Sequence, residues 1–467
     1  MATLEQALAI LDKLAAELRN RQHDIAGLDE AYRGEHRLTF ASKDFRDYFG
    51  KRYDKFSDNW CGIVADAPHE RLEVTGVRLK GDDNGDDALW DTWRENDADA
   101  YSDLAMLDAI ISKRAFALVW GTADGSPRIT WEHPSQAIVS YDAETRERAA
   151  GAKVWADDTH EYATLYLPDE VWKFQRVRVK SELELPSHLF AGKWEPRAEG
   201  VIPNPLGMVP LVELANRPRL IGEPVSDISG VLPMQHAVNL FWAQLFASAD
   251  EATLGQRVII GAEMPKVPVL NETGEVVGER PIDLKKFARD RALWLENPAT
   301  KIDQWPAARL DVFTKEIEIM VGHIAAQTRT PAHYLLIGGT IANVSGDAMK
   351  ALETGLVKRT EEKTQHFGRA IRDVFELVGL VKDDPAKAAA VRSGRVLWKD
   401  VENRSDAQRA DALSKKKEIG YPLRYLLELD GLPPQEIDRV MDMARDEAAD
   451  PFLQDLANRA ASDAGLG

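Results

Sequence analysis

Cysteine is almost absent from this chain of 467 residues, which contains only Cys61. A single cysteine excludes an intrachain disulfide and a zinc site built from several thiolates, and it is typical of a protein that folds in a reducing compartment. None of the ten histidines forms a metal-binding pair at helical spacing with an adjacent acid. We therefore expect no structural metal and no cofactor.

Long apolar runs are also missing. Apolar stretches such as residues 105–111, which Asp108 interrupts, and 258–260 are far shorter than the roughly 20 residues that a membrane-spanning helix requires. Residues 1–10 carry an acid early and have no basic segment ahead of an apolar one. This pattern is not that of a secretory signal, so we expect a protein that is made in the cytoplasm and does not enter a membrane.

Basic residues are outnumbered: 59 lysines and arginines face 77 aspartates and glutamates, which gives a net charge of −18. Proteins that grip DNA display basic patches, because the release of counterions from phosphate drives their binding. The acidic balance therefore argues against a conventional DNA-binding protein. It is compatible with a channel, because a wall that repels phosphate lets DNA slide, and composition alone leaves both possibilities open.

The residues that are present predict an α+β fold, mainly helical, with about three structural units. Apolar residues at steps of three and four predict a first helix over residues 4–32, which Gly34 ends. A further helix is expected at 87–113, and the alternation over 115–214 is typical of strands. The core face of the helix at 87–113 is predicted to contain Trp90, Trp93, Tyr101, Leu104, Leu107 and Ile111.

The second half of the sequence has an unusual order of segments. Two helices bracket a compact, turn-rich insert, and a glycine-rich loop then separates them from a third, longer helix. Helices of about 25 residues are roughly 35–40 Å long, so this order suits a leg with a foot that packs side by side in a ring. The predicted segments are helix 226–256, an insert with a strand at 258–260 and a hairpin near 271–278, helix 310–329, loop 337–346, helix 345–380 and a mostly helical tail.

Motifs for other functions are incomplete. The glycines of residues 338–346 precede a helix, as in a phosphate-binding loop, but Asp347 follows Gly346 and would repel phosphate. No Gly-x-Ser-x-Gly elbow or His-Glu-x-x-His pair is present, so no catalytic residue is expected.

The turn at Gly431 resembles that of a helix-turn-helix, but the next helix, 437–444, is acidic where base and phosphate contacts would be needed. A packed helical hairpin explains it better.

Several stretches in this order resemble the portal proteins of phages with a long noncontractile tail. The likeness covers nearly the whole chain, although no single motif in it is as specific as a set of zinc ligands. The similar stretches are residues 21–37 with their Tyr32-x-Gly34-x-His36 ending, the Gly207-x-Val209-Pro210 element within 204–214, the Ser345-Gly346-x-Ala348-x-Lys350 helix start continuing through Leu352, Lys358, Lys363 and Phe367, and Gly420-Tyr421-Pro422 with Asp430-Gly431-Leu432-Pro433 in the tail.

The resemblance implies a portal-protein fold and its regional layout. It also implies a virion protein at one capsid vertex that forms a ring of twelve subunits, passes double-stranded DNA without sequence specificity, and meets the terminase, head-tail connectors, and capsid and scaffold proteins. The implied regions are a wing (1–225), a first stem helix (226–256), a clip (257–306), a second stem helix (307–330), a tunnel loop (331–346), a long wing helix (347–382) and a helical crown (383–467).

Within this layout the candidates for DNA contact are few. The tunnel loop would contain Thr340, Ile341, Ala342 and Asn343, which are uncharged and would touch the DNA backbone without holding it. Each is equally compatible with an ordinary loop. Lys315, on the second stem helix, is a candidate for the bore, and the alternative is an exposed lysine paired with a nearby acid.

Two other functions remain alternatives at this point. One is a phage adaptor or scaffold protein with the same helix–insert–helix shape but no channel. The other is a nucleotide-using enzyme built around the Gly338 loop. The absence of catalytic motifs favours the portal hypothesis, in which the chemistry of DNA packaging belongs to a partner.

Overall fold

A computed structural model describes most of the chain. The chain forms two compact units. Unit 1 contains residues 1–37, 57–236 and 321–467, and unit 2 contains residues 38–56 and 237–320. The described residues are 2–43, 45, 47, 56–82, 84–178, 192–254, 257–260, 266–270, 274–281, 301–304, 309–335, 346–402 and 406–449.

The first half of the chain begins with a long helix. Two short helices and a helix of fifteen residues follow, and the chain then forms a series of strands. The elements are α1 (Leu4–Tyr32), α2 (Trp60–His69), β1 (Val74–Arg78), α3 (Asp87–Glu95), α4 (Ala98–Ser112), β2 (Arg114–Gly121), β3 (Pro127–Glu132), β4 (Ala137–Tyr141), β5 (Arg148–Ala156), β6 (His160–Tyr166), β7 (Glu170–Val177), β8 (Glu195–Pro203) and β9 (Leu211–Ala215).

The second half is mainly helical. The predicted helices at 310–329 and 345–380 are confirmed, as is the strand at 258–260. The elements are α5 (Leu232–Leu254), β10 (Arg257–Ile260), β11 (Lys266–Leu270), β12 (Val276–Pro281), β13 (Lys301–Gln304), α6 (Leu310–Thr328), α7 (Ala332–Leu335), α8 (Gly346–Val381), α9 (Pro385–Arg392), β14 (Arg395–Trp398), α10 (Asp406–Glu418), α11 (Leu423–Leu429) and α12 (Pro434–Ala449).

One layer of unit 1 is a five-stranded antiparallel sheet in the order β4-β5-β6-β7-β8, with α1 packed on one face. The predicted first helix is confirmed, and a capping box between Thr3 and Gln6 fixes its start. Its buried residues recur at steps of three and four, so they form one apolar stripe that meets the sheet. The contact unites Ala7, Leu11, Leu14 and Leu18 with Ile138, Ala152, Ala163, Leu165, Trp172 and Phe174.

A second layer is the three-stranded sheet β3-β2-β9, against which the long helix α8 packs. The second half of α8 is apolar on several sides, and Phe367, Ile371 and Phe375 are completely buried. The ring of Phe375 lies 5.0 Å from that of Trp93, which joins α8 to α3. This half of α8 is therefore a core helix, and its burial holds the rest of the helix in place.

The predicted single helix over residues 87–113 is wrong, because the chain breaks into α3 and α4 at Asn96 and Asp97. The Asn96 side chain donates to the carbonyl of Pro127 at 3.1 Å and accepts from the backbone of Ile129 at 2.9 Å, and Asp97 adopts a left-handed φ of 49°. The break changes the helical phase. Tyr101 and Leu104, predicted to lie in the core, are therefore 53% and 56% exposed.

Two further boundaries differ from the sequence predictions. The helix expected from residue 226 begins at Leu232, because residues 226–231 form a turn in which Val231 donates to the carbonyl of Ile228. The tail, expected to be mostly helical, also contributes β14. This strand pairs antiparallel with β1, with Val396 opposite Val77.

Unit 2 contains most of α5 and α6 and the strands between them. The two helices touch through the rings of Phe241 and Phe313, whose centroids are 6.2 Å apart. Beyond them, β10 and β13 pair antiparallel, and β11 and β12 form the predicted hairpin. The chain thus leaves α5 and returns to α6 through paired strands, which is the helix–insert–helix order expected from the sequence.

Neither a membrane helix nor a metal cluster is found in the described parts. No helix there combines the length and the apolar character that crossing a bilayer demands. Among the same residues, no group of three or more His, Cys, Asp or Glu side chains could hold a metal ion.

The Tyr32-x-Gly34-x-His36 motif has a structural explanation centred on Asn59, the N-cap of α2. The Asn59 amide donates to the carbonyl of Tyr32 at 2.7 Å, and its oxygen contacts His36 Nε2 at 3.2 Å. Gly34, with φ of 78°, lies between them, where a Cβ would be 3.3 Å from the Asn59 side chain. The motif therefore ends α1 and docks it on α2.

We predict that Gly34→Ala lowers the free energy of unfolding by about 1–2 kcal/mol, because alanine must adopt the left-handed conformation against Asn59. The matched control is Gly27→Ala within α1, where a Cβ meets nothing within 4 Å. That change is expected to stabilise the protein by roughly 0.5–1 kcal/mol. Chemical denaturation measures both, and equal effects of the two variants would contradict this account of the motif.

Candidate functional site

The residues predicted to meet DNA are only partly described. Thr340, Ile341, Ala342 and Asn343 lie outside the described residues, so their contact with DNA stays a prediction. Lys315 lies on α6 in unit 2 and is exposed. It follows Asp311 by one helical turn, and the pKa of that aspartate is lowered by a hydrogen bond from Arg309 and by Lys315. Lys315 is thus exposed one turn after an acid, and whether it faces the bore stays a prediction.

The helices α5 and α6 are acidic in composition. Their charged side chains, apart from histidine, are five carboxylates and one lysine: Asp250, Glu251, Asp311, Glu316, Glu318 and Lys315. A pair of helices with this composition does not hold a phosphate backbone tightly, since binding to DNA requires cations that displace its counterions.

A buried ionic cluster lies in unit 1 next to the chain segments from which α5 and α6 extend. At its centre is Asp227, whose side chain is only 1% exposed. Lys363 Nζ and Arg359 Nη2 approach the same oxygen, Asp227 Oδ2, at 2.7 and 2.8 Å. Asn216 completes the cluster, because its amide donates to Asp227 Oδ1 at 3.0 Å and its oxygen accepts from Lys363 at 2.5 Å. We call these four residues the ionic joint.

Arg359 connects the ionic joint to the surrounding backbone. Its guanidinium donates to the carbonyl of Thr328, the last residue of α6, and to that of Val64 in α2, both at 2.6 Å. On the other side, the backbone N–H of Asp227 donates to the carbonyl of Ile110 in α4 at 3.1 Å. The joint therefore ties α8, α2, α4, the end of α6 and the turn before α5 to one another.

Protonation equilibria in the joint follow from burial and from charge. Burial alone would raise the pKa of Asp227, but Lys363 and Arg359 lower it to about 2. The folded state thus favours the carboxylate, and this contribution to stability is lost as the pH falls from the ordinary pKa of 3.8 through about 2. Burial lowers the pKa of Lys363 to about 8 despite the attraction of Asp227, so the lysine is charged at neutral pH.

The start of α5 has a second attachment in unit 1. Gln235 is completely buried, and its side-chain oxygen accepts from the backbone of Trp60, the first residue of α2, at 2.8 Å. Its amide donates to the carbonyl of Asp58. The first turn of α5 is thereby bound to the segment around Asn59, the residue that also contacts the Tyr32-x-Gly34-x-His36 motif.

A third polar cluster joins residues on either side of the segment 336–345. Arg71 Nη2 donates to the hydroxyl of Tyr334 at 2.8 Å and contacts Glu353 Oε2 at 3.1 Å, while Nη1 donates to the carbonyl of Val401 at 3.2 Å. Tyr334 precedes this segment and Glu353 lies on α8 after it. We call Arg71, Tyr334 and Glu353 the arginine clamp. It holds both flanks of the segment that contains Thr340–Asn343.

The chain matches the family model "Phage portal protein, SPP1 Gp6-like" over residues 11–449. It belongs to this family. The match includes the ionic joint, the arginine clamp and both helices α5 and α6. The resemblance identified from the sequence motifs is thereby confirmed.

Individual relatives point to the same family. The portal protein of Mycobacterium phage D29 is 28% identical over 374 residues, which cover 76% of this chain and 71% of the relative. The portal protein of Mycobacterium phage L5 is 27% identical over 374 residues, which again cover 76% of this chain and 71% of the relative. A chain from the virion of a native gene transfer agent particle matches with a TM-score of 0.43 and 10% identity, over 88% of this chain and 94% of that one. The assignment rests on the family match and not on this last likeness.

Family membership settles the class of function. The chain is a structural portal protein of the virion portal vertex and not an enzyme, and the family implies an oligomeric ring through which DNA passes. This agrees with the mixed α+β fold and with the lack of catalytic motifs in the sequence.

We predict that Asp227→Asn lowers the free energy of unfolding by about 3–5 kcal/mol, since it leaves Lys363 and Arg359 as buried charges without a counter-ion. The matched control is Asp411→Asn, whose carboxylate is 63% exposed and pairs with Lys415 at 2.7 Å. Loss of that surface pair is expected to cost roughly 0–0.5 kcal/mol. Urea unfolding measures both variants, and a loss below about 0.5 kcal/mol for Asp227→Asn would contradict the role given to the joint.

Proposed function

We propose that twelve copies of this chain form a closed ring at one capsid vertex, through which double-stranded DNA is packaged and later ejected. The observation that carries the proposal is the family match over residues 11–449, together with two helices attached to a buried ionic joint. A ring that transmits force during packaging needs legs whose attachment does not yield. The ionic joint and Gln235 supply such attachments for α5 and α6.

In this proposal α5 and α6 are the stem and line the bore. B-DNA carries one negative charge per roughly 1.7 Å of its axis, so a strongly basic bore would stall translocation. The two helices instead carry five carboxylates and a single lysine, Lys315, so the wall that they form would be acidic. Contact with DNA in such a bore would be without sequence specificity, because contacts to the phosphate backbone carry no sequence information.

The insert between the stem helices is proposed as the clip. The region 257–306 would receive the terminase during packaging and the head-tail connectors afterwards. Support comes from the order of elements in unit 2, where the paired strands β10 and β13 follow α5 and precede α6, with the hairpin of β11 and β12 between them. Capsid and scaffold proteins would contact the remaining regions, the wing at 1–225 and the crown at 383–467.

The segment that contains Thr340, Ile341, Ala342 and Asn343 is proposed as the tunnel loop. Its residues are uncharged, which suits contact with a moving phosphate backbone. The arginine clamp supports this role, because it fixes the positions from which the loop extends.

We predict that the purified chain forms a closed ring of twelve subunits with a central hole wide enough for DNA, as seen by native mass spectrometry and negative-stain imaging. Deletion of residues 340–343 is expected to leave the ring intact, since the joint and the clamp lie outside it, but to reduce the amount of packaged DNA. A monomer or dimer at high protein concentration would contradict the ring. Unchanged packaging by the deletion variant would contradict the role of the loop alone.

A further inference from the structure

A pocket of about 430 Å³ lies beside the ionic joint in unit 1. Its walls come from residues within 217–231, 327–329 and 359–362, which are the segment between β9 and α5, the end of α6 and one turn of α8. The volume lies within the range of small-ligand pockets, roughly 300–1,000 Å³. The charged and amide side chains on the wall belong to Arg217, Asp227, Gln327, Arg329, Arg359 and Glu362.

Positive charge exceeds negative charge around this pocket. Its three arginines and Lys363, which contacts Asp227, make four cations. The carboxylates on the wall are two, Asp227 and Glu362. Asp227 is already shared, because Lys363 and Arg359 lie 2.7 and 2.8 Å from one of its oxygens and Arg217 lies 4.0 Å from the other. Glu362 is exposed and forms no ion pair in the described part of the chain.

The ionic joint alone is not neutral. Arg359 and Lys363 share the single carboxylate of Asp227, and their side chains are 11% and 1% exposed. The positive charges of Arg359 and Arg217, together with burial, lower the pKa of Lys363. A buried excess of charge is unfavourable unless a counter-charge lies close to it. The pocket is open to such a counter-charge, since Asp227 and Arg359 form part of its wall.

Two of the arginines present free N–H groups to the pocket. Arg329 is exposed and forms no hydrogen bond or ion pair in the described part of the chain. Arg217 is 49% exposed, and its contact with Asp227 is too long for a hydrogen bond. Arg359 differs, because its guanidinium already donates to Asp227 and to the carbonyls of Thr328 and Val64. It therefore supplies charge, whereas the other two supply charge and donors.

Both free arginines occupy a backbone conformation that favours glycine. The φ angle is 46° at Arg217 and 56° at Arg329. Glycine adopts this left-handed region without a steric penalty, whereas a residue with a Cβ does not. Six described residues other than glycine have a positive φ, and two of the six lie on this one pocket. Strained positions of this kind cluster at ligand-binding sites.

We propose that the pocket binds a phosphate group between Arg217 and Arg329. A phosphate dianion neutralises the excess of two positive charges, and each guanidinium can donate two parallel hydrogen bonds to its oxygens. The bound group joins the segment before α5 to the end of α6, because one arginine comes from each. The site lies within one subunit and is independent of the proposed ring.

Isothermal titration calorimetry with inorganic phosphate, at constant ionic strength, tests the site. We expect one phosphate per chain with a dissociation constant of about 1 mM or tighter. Arg329→Gln is expected to weaken binding roughly tenfold or more, because one guanidinium fork is lost. This variant should fold normally, since Arg329 has no polar partner in the described part of the chain.

The matched control is Arg219→Gln. It removes the same charge from the same segment, but Arg219 is exposed and does not line the pocket. Its affinity for phosphate is expected to equal that of the natural chain. Absence of saturable binding by the natural chain would overturn the proposal, and so would equal affinities of the natural chain and Arg329→Gln. Acetate that binds as tightly as phosphate would overturn the assignment of the ligand.

Thermal unfolding gives a second readout. Phosphate stabilises many proteins because it is excluded from their surface, so the informative quantity is the difference between variants. We expect phosphate to raise the unfolding temperature of the natural chain and of Arg219→Gln more than that of Arg329→Gln, because a ligand of the folded state adds to the general effect. Equal increases in all three proteins would contradict a specific site.

The phosphate group has two possible sources, free phosphate and the DNA backbone. A short DNA duplex added to the calorimetry distinguishes them. A duplex that displaces inorganic phosphate from the natural chain assigns the pocket to a DNA phosphate, and a duplex without effect assigns it to free phosphate. Either result supports the site. Ring formation, imaged separately, tests the proposed function, so the two proposals can fail independently.

Discussion

The rest of the structure depends on the buried charge of Asp227. A carboxylate with 1% exposure is stable only when cations and hydrogen-bond donors surround it, and here they come from distant parts of the chain. Arg359 and Lys363 are supplied by α8, and Asn216 by the segment after β9. One buried charge therefore requires the correct assembly of α8, the segment after β9 and the turn before α5 at the same time.

This constraint has a functional consequence for a portal subunit. In the proposed ring, α5 and α6 are acidic in composition, so attachments within the subunit would resist force in place of a tight hold on DNA. Arg359 binds the last carbonyl of α6, and Gln235 binds the start of α5 to α2. The acidic composition argues against a protein that grips DNA, and it is compatible with a channel through which DNA slides.

Sequence periodicity predicted the elements whose burial is decided locally. The helices α1, α6 and α8 and the strand-rich region follow from it, and the order of segments led to the correct family. Contacts between distant residues decided the rest. The break between α3 and α4 depends on Asn96 bonding to β3, and β14 has its partner, β1, more than 300 positions earlier. Neither contact leaves a periodic trace in the sequence.

The sequence contains one signal for the ionic joint, which is the position of Lys363. Lys363 lies on the apolar stripe of α8, between Thr360 and Phe367, and all three are buried. A lysine on a buried stripe requires a buried counter-ion. The sequence does not identify that counter-ion as Asp227, because the chain contains 77 acids and only the fold selects one.

The central claim is that Asp227 and Lys363 act as one buried unit, and a double-mutant cycle tests it most directly. Urea unfolding would be measured for Asp227→Asn, Lys363→Met and the combined variant. The account predicts that Lys363→Met destabilises the natural chain but stabilises the Asp227→Asn variant, where it removes an uncompensated cation, with a coupling free energy of about 2 kcal/mol or more. Effects that add to within about 0.5 kcal/mol would contradict it.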